Sequence, residues 1–382
     1  ERMNRERLVL KVGTNVLQRP SGRLDYNLIS ELAEQIASLR VLGHEVLLVS
    51  SGSVGAGREL LHLGQTTTDQ LRQHQLLAAV GQARLMQIYT DFFREHQITV
   101  AQVLLTRGDF STRASYLNIR DTLENLLKAG VLPIVNENDV VATDELLINQ
   151  FGDNDQLAVY VAALADADRL LFLTVAPGLL REKTGAGSPQ PEVVEQVEKL
   201  SEELLRLCLP ATSRDGKGGM ESKVRCAGMA MDFGIHAHIL DGKRPEGALD
   251  ILEGRGGGTH FVSKGRKVNS YQKWLAAGAF RQGRLHIDAG AEQALLEHKK
   301  SLLAKGITKV EGEFDLKDLV EILGPSGIRL GVGRSSFSSR ELQEQLFAES
   351  SGPVEASARS GGLSKPVVHR NHLFLERSAA AS

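Results

Sequence analysis

Short apolar runs alternate with stretches of helical spacing through the first part of the chain, and no other feature restricts its fold as much. The runs are Leu8–Val12, Glu45–Val49, Val100–Leu105, Val131–Val135, Arg169–Thr174 and His236–Leu240. They are too short for stable helices and mostly unbroken by polar residues, the pattern of strands buried from both sides in a parallel sheet. Between them, Tyr26–Leu42, Leu71–Phe93, Tyr116–Ala129 and Gln156–Leu164 read as helices, with others expected around Val193–Cys208 and from Met220 onward. Leu28, Ile29, Leu32, Ile36 and Leu39 share one helical face, and Gly43 and Gly130 stand where helices stop. Strand and helix in alternation predict βαβ units: an α/β chain, a three-layer αβα sandwich with a mostly parallel central sheet.

Such sheets bind ligands beyond the carboxyl ends of their strands, so the polar residues just past each run are the candidates for a site. The densest group follows Val131–Val135. Asn136, Glu137, Asn138 and Asp139 come first, then Asp153, Asn154 and Asp155 at the head of a helix. A polar loop with an N-cap would use the same residue types. Two acid and amide clusters behind one buried run favour a site, because charges there must be paired or hydrated. Past Glu45–Val49 lies "SSGSVGAG", in which Ser50, Ser51, Gly52, Ser53, Gly55 and Gly57 read as a glycine-rich turn feeding a helix. Such a turn lets backbone N–H groups approach an anion. Lys11 closes the first run beside Gly13 and Thr14, without the spacing of a P-loop. A second glycine loop carries Lys217, Gly218, Gly219, Met220 and Lys223 into another helix, an arrangement that suits a polyphosphate.

With 382 residues the chain is long enough for two domains, and a formal net charge of −2 gives no global basic field for nucleic acid. Its two cysteines, Cys208 and Cys226, are too few for a disulfide framework and read as small buried hydrophobes. No apolar run has the length of a membrane helix, and a cytoplasmic location is expected. Leu252–Lys273 turns rich in glycine and basic residues and ends at Trp274, the sole tryptophan. After Ala276 short strand-like runs take over, at Arg284–Asp288, Lys309–Phe314, Leu319–Leu323, Ile328–Gly333 and Pro366–Arg370, with one helical piece at Ala291–Lys299. The expected division is a first domain over 1–262, a linker over 263–277, a small mostly-β domain over 278–372 and a tail over 373–382.

Taken together, "LVLKVGTNVL", "VSSGSVGAG", "QLLAAVGQARLM", "LLTRGDF", "NIRDTLENLL", "PIVNENDVVAT", "FGDNDQLA" and "GGMESKVRCAGMA" resemble the glutamate 5-kinases of the amino acid kinase family. "HIDAGAEQALL", "SLLAKGITKVEGEF" and "VVHRN" resemble the PUA domain that many of them carry. The resemblance implies an amino acid kinase-like fold and phosphorylation of the L-glutamate side-chain carboxylate by ATP with Mg²⁺, toward proline. It implies Lys11 and Lys223 near the transferring phosphoryl group, with Asp155 orienting both. Gly13 and Gly52 would offer backbone N–H groups. Ser51, Asp139 and Asn154, with Asn136 and Asp153 beside them, would form the glutamate pocket. Asp139 would take the α-ammonium, and Asn154 or Ser51 the carboxylate. Thr174, Lys217, Gly218, Gly219, Met220 and Lys223 would face the nucleotide, and no protein-held metal is expected. Proline inhibition and a homo-oligomer, dimer or tetramer, are further implications; an RNA partner is not expected.

The chain departs from the family pattern "LTDxxGLYxxDPR", reading "LTVAPGLLREK" with Val175 and Leu180 in place of Asp and Tyr. Lys217 replaces a threonine in "GTGGM", and "HRN" replaces "HRD". Two alternatives stay open: another kinase of this fold, acting on acetylglutamate, aspartate or UMP, or a catalytically weakened paralogue with an RNA-binding role.

Overall fold

The structure is a computed structural model describing residues 5–61, 70–141, 154–182, 191–208, 219–244, 246–264, 268–277, 281–350 and 365–376. Asp153, Lys217 and Gly218 lie outside the described residues. The chain divides into two units, one of 1–109 with 114–267, the other of 110–113 with 268–382.

The first unit is built on an eight-stranded sheet, ordered β3-β4-β2-β1-β5-β9-β10-β8. Its strands are β1 (Arg7–Val12), β2 (Glu45–Ser50), β3 (Val100–Leu105), β4 (Leu132–Glu137), β5 (Arg169–Thr174), β8 (Gln196–Val197), β9 (His236–Asp241) and β10 (Thr259–Phe261); β6 (Leu180–Glu182) and β7 (Pro191–Val193) pair separately. All pairings from β3 across to β9 are parallel, and only β10 runs antiparallel to β9. β1, β2, β4, β5 and β9 are buried almost end to end, as strands covered on both faces must be. This is the expected αβα arrangement.

The helices are α1 (Thr14–Leu17), α2 (Tyr26–Val41), α3 (Ser53–Leu61), α4 (Gln70–Glu95), α5 (Arg113–Lys128), α6 (Asn154–Leu164), α7 (Glu202–Arg206), α8 (Met220–Asp232) and α9 (Gly247–Leu252). Leu8, Leu10 and Val12 of β1 pack with Ile29 and Ile36 of α2 and Tyr89 and Phe93 of α4. Side chains alternate faces along a strand, so Val9 and Lys11 point the other way. There α6 lies against β1 and β5 and under α8. From Leu157 to Leu164 it is buried on every side, as a helix apolar all round must be. Its polar head is left to project at the sheet's carboxyl end.

Two readings from the sequence are corrected, and one helix was missed. The helix expected around Val193–Cys208 is only α7, preceded by β7 and β8; the β-branched valines there pair as strands, and Val197 is buried beside β10. The glycine-rich turn past β2 is shorter than expected, because α3 already begins at Ser53. Gly57 lies inside that helix against the Leu77 backbone of α4, and Gly81 of α4 against the backbone of Ser53 and Gly57. These glycines serve close helix packing rather than an anion. Finally, "SSRELQEQLFAES" forms a helix in the second unit that the apolar pattern did not suggest.

At the opposite, amino end of the sheet three histidines meet. His236 Nδ1 lies 3.1 Å from His260 Nε2, and the His238 and His260 rings stack with centroids 4.2 Å apart. Arg169 bonds both His238, at 3.3 Å, and Glu6, and Asp168 completes the surroundings. Burial first, then Arg169, lowers His236 against the pull of Glu6 and Asp168; burial, the neighbouring imidazoles and Arg169 lower His238 and His260, the latter to about 4. The unfolded chain therefore takes up protons near pH 6.5 that the folded one refuses. The stability they contribute is complete above that pH and is lost as pH falls toward 4. The thermal midpoint should drop between about pH 7.5 and pH 5, and His260→Gln should flatten the curve. A parent and variant with superimposable pH profiles would remove this role.

The second unit holds a five-stranded mixed sheet, ordered β12-β11-β13-β14-β15, from β11 (Arg281–Ile287), β12 (Ile307–Gly312), β13 (Leu319–Leu323), β14 (Arg329–Ser335) and β15 (Val368–Leu375). Leu285, Val320, Ile322, Val332 and Val368 are buried, and most of them meet Leu342 in one core. Besides α11 (Ala289–Leu296), the unit has α10 (Ser270–Ala277), inside the stretch read as a linker, and α12 (Ser339–Ser350). β15 continues past residue 372. Trp274 is buried, its Nε1–H donating to the Phe110 carbonyl at 3.1 Å, and Arg113 donates to the Ser270 carbonyl at 2.8 Å.

Candidate active site

β1, β2 and β4 end together at one edge of the sheet, and the heads of α6 and α8 reach the same place. Lys11, next to last in β1, projects toward α6. Its Nζ lies 2.5 Å from Asp155 Oδ1, and Lys223 Nζ, from the first turns of α8, lies 3.0 Å from Asp155 Oδ2. Asp155 is 0% exposed, Lys11 4% and Lys223 7%. One carboxylate thus spans two ammonium groups out of bulk water, and the three side chains carry a net charge of +1. The first turn of α6 further suits the carboxylate, since a helix amino terminus favours negative charge. Desolvating two cations beside one anion is costly unless an anionic ligand completes the balance.

Gly13, which caps α1 without a side-chain bond, lies beside this group; a Cβ there would come 3.5 Å from Lys11 Nζ. The cap of α8 is Gly219, extended and without a side-chain bond, so the first N–H groups of α8, from Met220 on, are not capped from that side. Gly52, at φ +108°, makes the turn between β2 and α3, where only glycine is unstrained.

A second group lies beside the first. Asn154 Nδ2 donates to Ser50 O at 3.1 Å, Ser51 Oγ at 3.0 Å and Asn136 Oδ1 at 2.9 Å. Asn136 Nδ2 in turn donates to Gln82 Oε1 at 2.9 Å. Burial holds the Tyr89 phenol well above its usual range, so it stays a hydroxyl. It meets Ser50 Oγ at 2.7 Å, and Ser50 Oγ donates to the Ser51 carbonyl. Ser51 Oγ accepts from Asn154, which leaves the Ser51 hydroxyl proton to donate outward. Asn154, expected to offer donors to a carboxylate, has its amino group already engaged. Asp139 stands apart from this network and faces His74 Nε2 at 3.4 Å.

Thr174 ends β5, and its carbonyl accepts from Gly242 at 2.7 Å. The following Val175 is half exposed, and Leu180 is exposed as well. Gly178 has φ +153° and no room for a Cβ against Thr259 and Val193. The structure therefore gathers Lys11, Asp155, Lys223 and Gly13 into one group and Ser51, Asn136 and Asn154 into another. Gln82, Tyr89 and His74 were missed. All three project from α4, a helix whose long apolar face made its polar members read as incidental. Among the described residues no group of three or more His, Cys, Asp or Glu could hold a metal ion.

The pattern of the amino acid kinase family matches residues 6–241, and that of the PUA domain residues 283–345. A glutamate 5-kinase of Dehalococcoides mccartyi (strain CBDB1) is 40% identical over 97% of this chain and 98% of its own length. Those of Trichlorobacter lovleyi and Acaryochloris marina are each 41% identical, over 97% and 96% of this chain and 96% and 98% of theirs. The solved UMP kinase of Bacillus anthracis aligns at 15% identity with a TM-score of 0.47, over 68% of this chain and 96% of that one. Matched by the family's pattern over residues 6–241 and by relatives alike from end to end, the chain belongs to the amino acid kinase family, among the glutamate 5-kinases.

Proposed function

We propose that the protein transfers the γ-phosphoryl group of ATP to the side-chain carboxylate of L-glutamate. The observation that carries this reading is the buried Lys11–Asp155–Lys223 group. A glutamate side chain has a pKa of about 4.3, so at neutral pH it is already the nucleophile and needs no general base. The obstacle is repulsion between a carboxylate and a polyphosphate, and the remedy is position and positive charge. Lys11 and Lys223 supply that charge, and Asp155 holds them at a fixed spacing. A carboxylate oxygen attacks the γ-phosphorus, the bond to the ADP oxygen breaks, and glutamyl 5-phosphate and ADP result.

The amino-terminal head of α8 and Gly13 suit the phosphates, and Thr174 is assigned with them to the nucleotide side. Magnesium would be carried by the nucleotide's own phosphates and would offset their negative charge. Ser51 donates to the substrate α-carboxylate and Asp139 accepts from its α-ammonium. Val175 and Leu180 offer apolar surface where the family pattern has Asp and Tyr, so the base is held by contact area more than by hydrogen bonds. The reading includes a cytoplasmic homo-oligomer and inhibition by proline at the Asp139 region. No described helix is long and apolar enough to cross a membrane.

The direct test is ADP release with Mg-ATP and L-glutamate, aspartate or N-acetylglutamate, with Mg-GTP run in parallel. Glutamate alone should support turnover. Folded protein that is silent with glutamate, or faster with either other acceptor, would refute the assignment.

A further inference from the structure

The amide network behind the second group has a fixed direction, and that direction determines what Asn154 can offer a substrate. The Glu137 backbone N–H can only donate. It does so to the Asn136 side chain at 2.9 Å, so the atom facing it is Oδ1. The other end of Asn136 is then its amino group, which needs an acceptor because Asn136 is buried. Gln82 Oε1 is that acceptor, 2.9 Å away on α4, and Gln82 is buried too. Asn136 Oδ1 and the Ser50 carbonyl, both acceptors, face Asn154 at 2.9 and 3.1 Å. Asn154 can meet them only with its amino group. Its two hydrogens already serve three acceptors, Ser51 Oγ included. What Asn154 has left is its carbonyl oxygen, an acceptor.

We propose that Gln82 is a positioning residue. Through Asn136 it holds the Asn154 carbonyl oxygen ready to accept, with Asp139, a hydrogen bond from a free α-ammonium group. The site thereby selects a free amino acid over its N-acylated form. This rests on the glutamate kinase reading and deepens it. An ammonium group brings three N–H donors and a full charge to such acceptors. An acylated nitrogen brings one donor, no charge and added bulk. Gln82 touches no substrate; it acts because losing its acceptor oxygen leaves the Asn136 amino group buried and unpaired, which Asn136 relieves only by turning away from Asn154.

The test compares the parent enzyme with Gln82→Met, which keeps the side chain's length but has no comparable acceptor. Gln82→Asn is the second variant, keeping an amide but withdrawing it by one methylene. KM for L-glutamate should rise about tenfold in both, the effect of losing one well-oriented hydrogen bond. Turnover at saturation and KM for Mg-ATP should stay within about twofold. Glutarate, which lacks the amino group, should inhibit competitively with an unchanged constant, so the preference for glutamate over glutarate shrinks. A merely structural role would weaken glutamate, glutarate and ATP together, and that outcome overturns the proposal. So does an unchanged KM for glutamate. A parent enzyme without glutamate-dependent ADP release sinks the functional reading itself; a parent that turns over, with variants insensitive in KM, sinks this inference alone.

Discussion

Asp155→Asn should lower turnover by on the order of a thousandfold while the protein stays folded. The side chain keeps its size and still offers one oxygen, so packing at the head of α6 survives. What disappears is the negative charge that spans Lys11 and Lys223, which lie 2.5 and 3.0 Å from its two oxygens in the parent. Both lysines are almost fully buried. Two ammonium groups with nothing between them repel, and at least one leaves its place. Removing one member of a buried ionic group costs about 3–5 kcal/mol, so a lower thermal midpoint is expected too. The loss should fall on kcat, because the lysines act on charge that develops during transfer, and KM for glutamate should move far less. Steady-state ADP release and far-UV dichroism on the same preparation check both halves. A folded variant retaining a tenth or more of parental kcat would remove Asp155 from the centre of the mechanism.

Gly81→Ala should be about as damaging, for a reason that has nothing to do with charge. Inside an exposed helix this change gains about 1 kcal/mol of propensity. Here a Cβ on Gly81 would sit 1.7 Å from the Ser53 carbonyl oxygen and 2.4 Å from the Gly57 nitrogen. Both are backbone atoms, so no side chain can swing aside. α3 and α4 must separate along the interface where Gly57 in turn meets the Leu77 backbone. Overpacking costs about 1–3 kcal/mol where side chains can yield, and more is expected where only backbone can. The balance is clearly destabilising, with a midpoint lowered by roughly 5 °C or more or a loss of soluble protein. Because α3 follows directly on Ser51 and Gly52, surviving protein should also bind glutamate more weakly. A midpoint at or above the parent's would show that the two helices part at little cost.

The main architecture was legible because parallel strands announce themselves: "RLLFLT" admits little but a strand buried on both faces. The buried charged group was legible in part. Lys11, Asp155 and Lys223 are far apart in sequence, and only their match to family motifs joined them; period-two alternation then explains why Lys11, flanked by Leu10 and Val12, faces α6. Gln82 and Tyr89 were not legible, since a polar residue on a buried helix face has no mark that separates a network from a tolerated exception. β8 and β10, of two and three residues, are too short to carry a period. α12 could have been found. Ser338 and Glu341 form a reciprocal capping box, Glu341 accepting from Ser338 N at 2.7 Å and Ser338 Oγ from Glu341 N at 3.3 Å, and "SSRE" spells it in the sequence.

The second unit is not a contiguous piece of chain. Residues 110–113 belong to it, though more than a hundred residues of the first unit follow before the chain returns at 268. A fragment beginning at residue 263, where the linker was expected to start, would leave that piece behind. It would strip Trp274 of the Phe110 carbonyl and Ser270 of Arg113. No single cut therefore frees the whole of this unit, because one of its pieces lies within the span of the first unit.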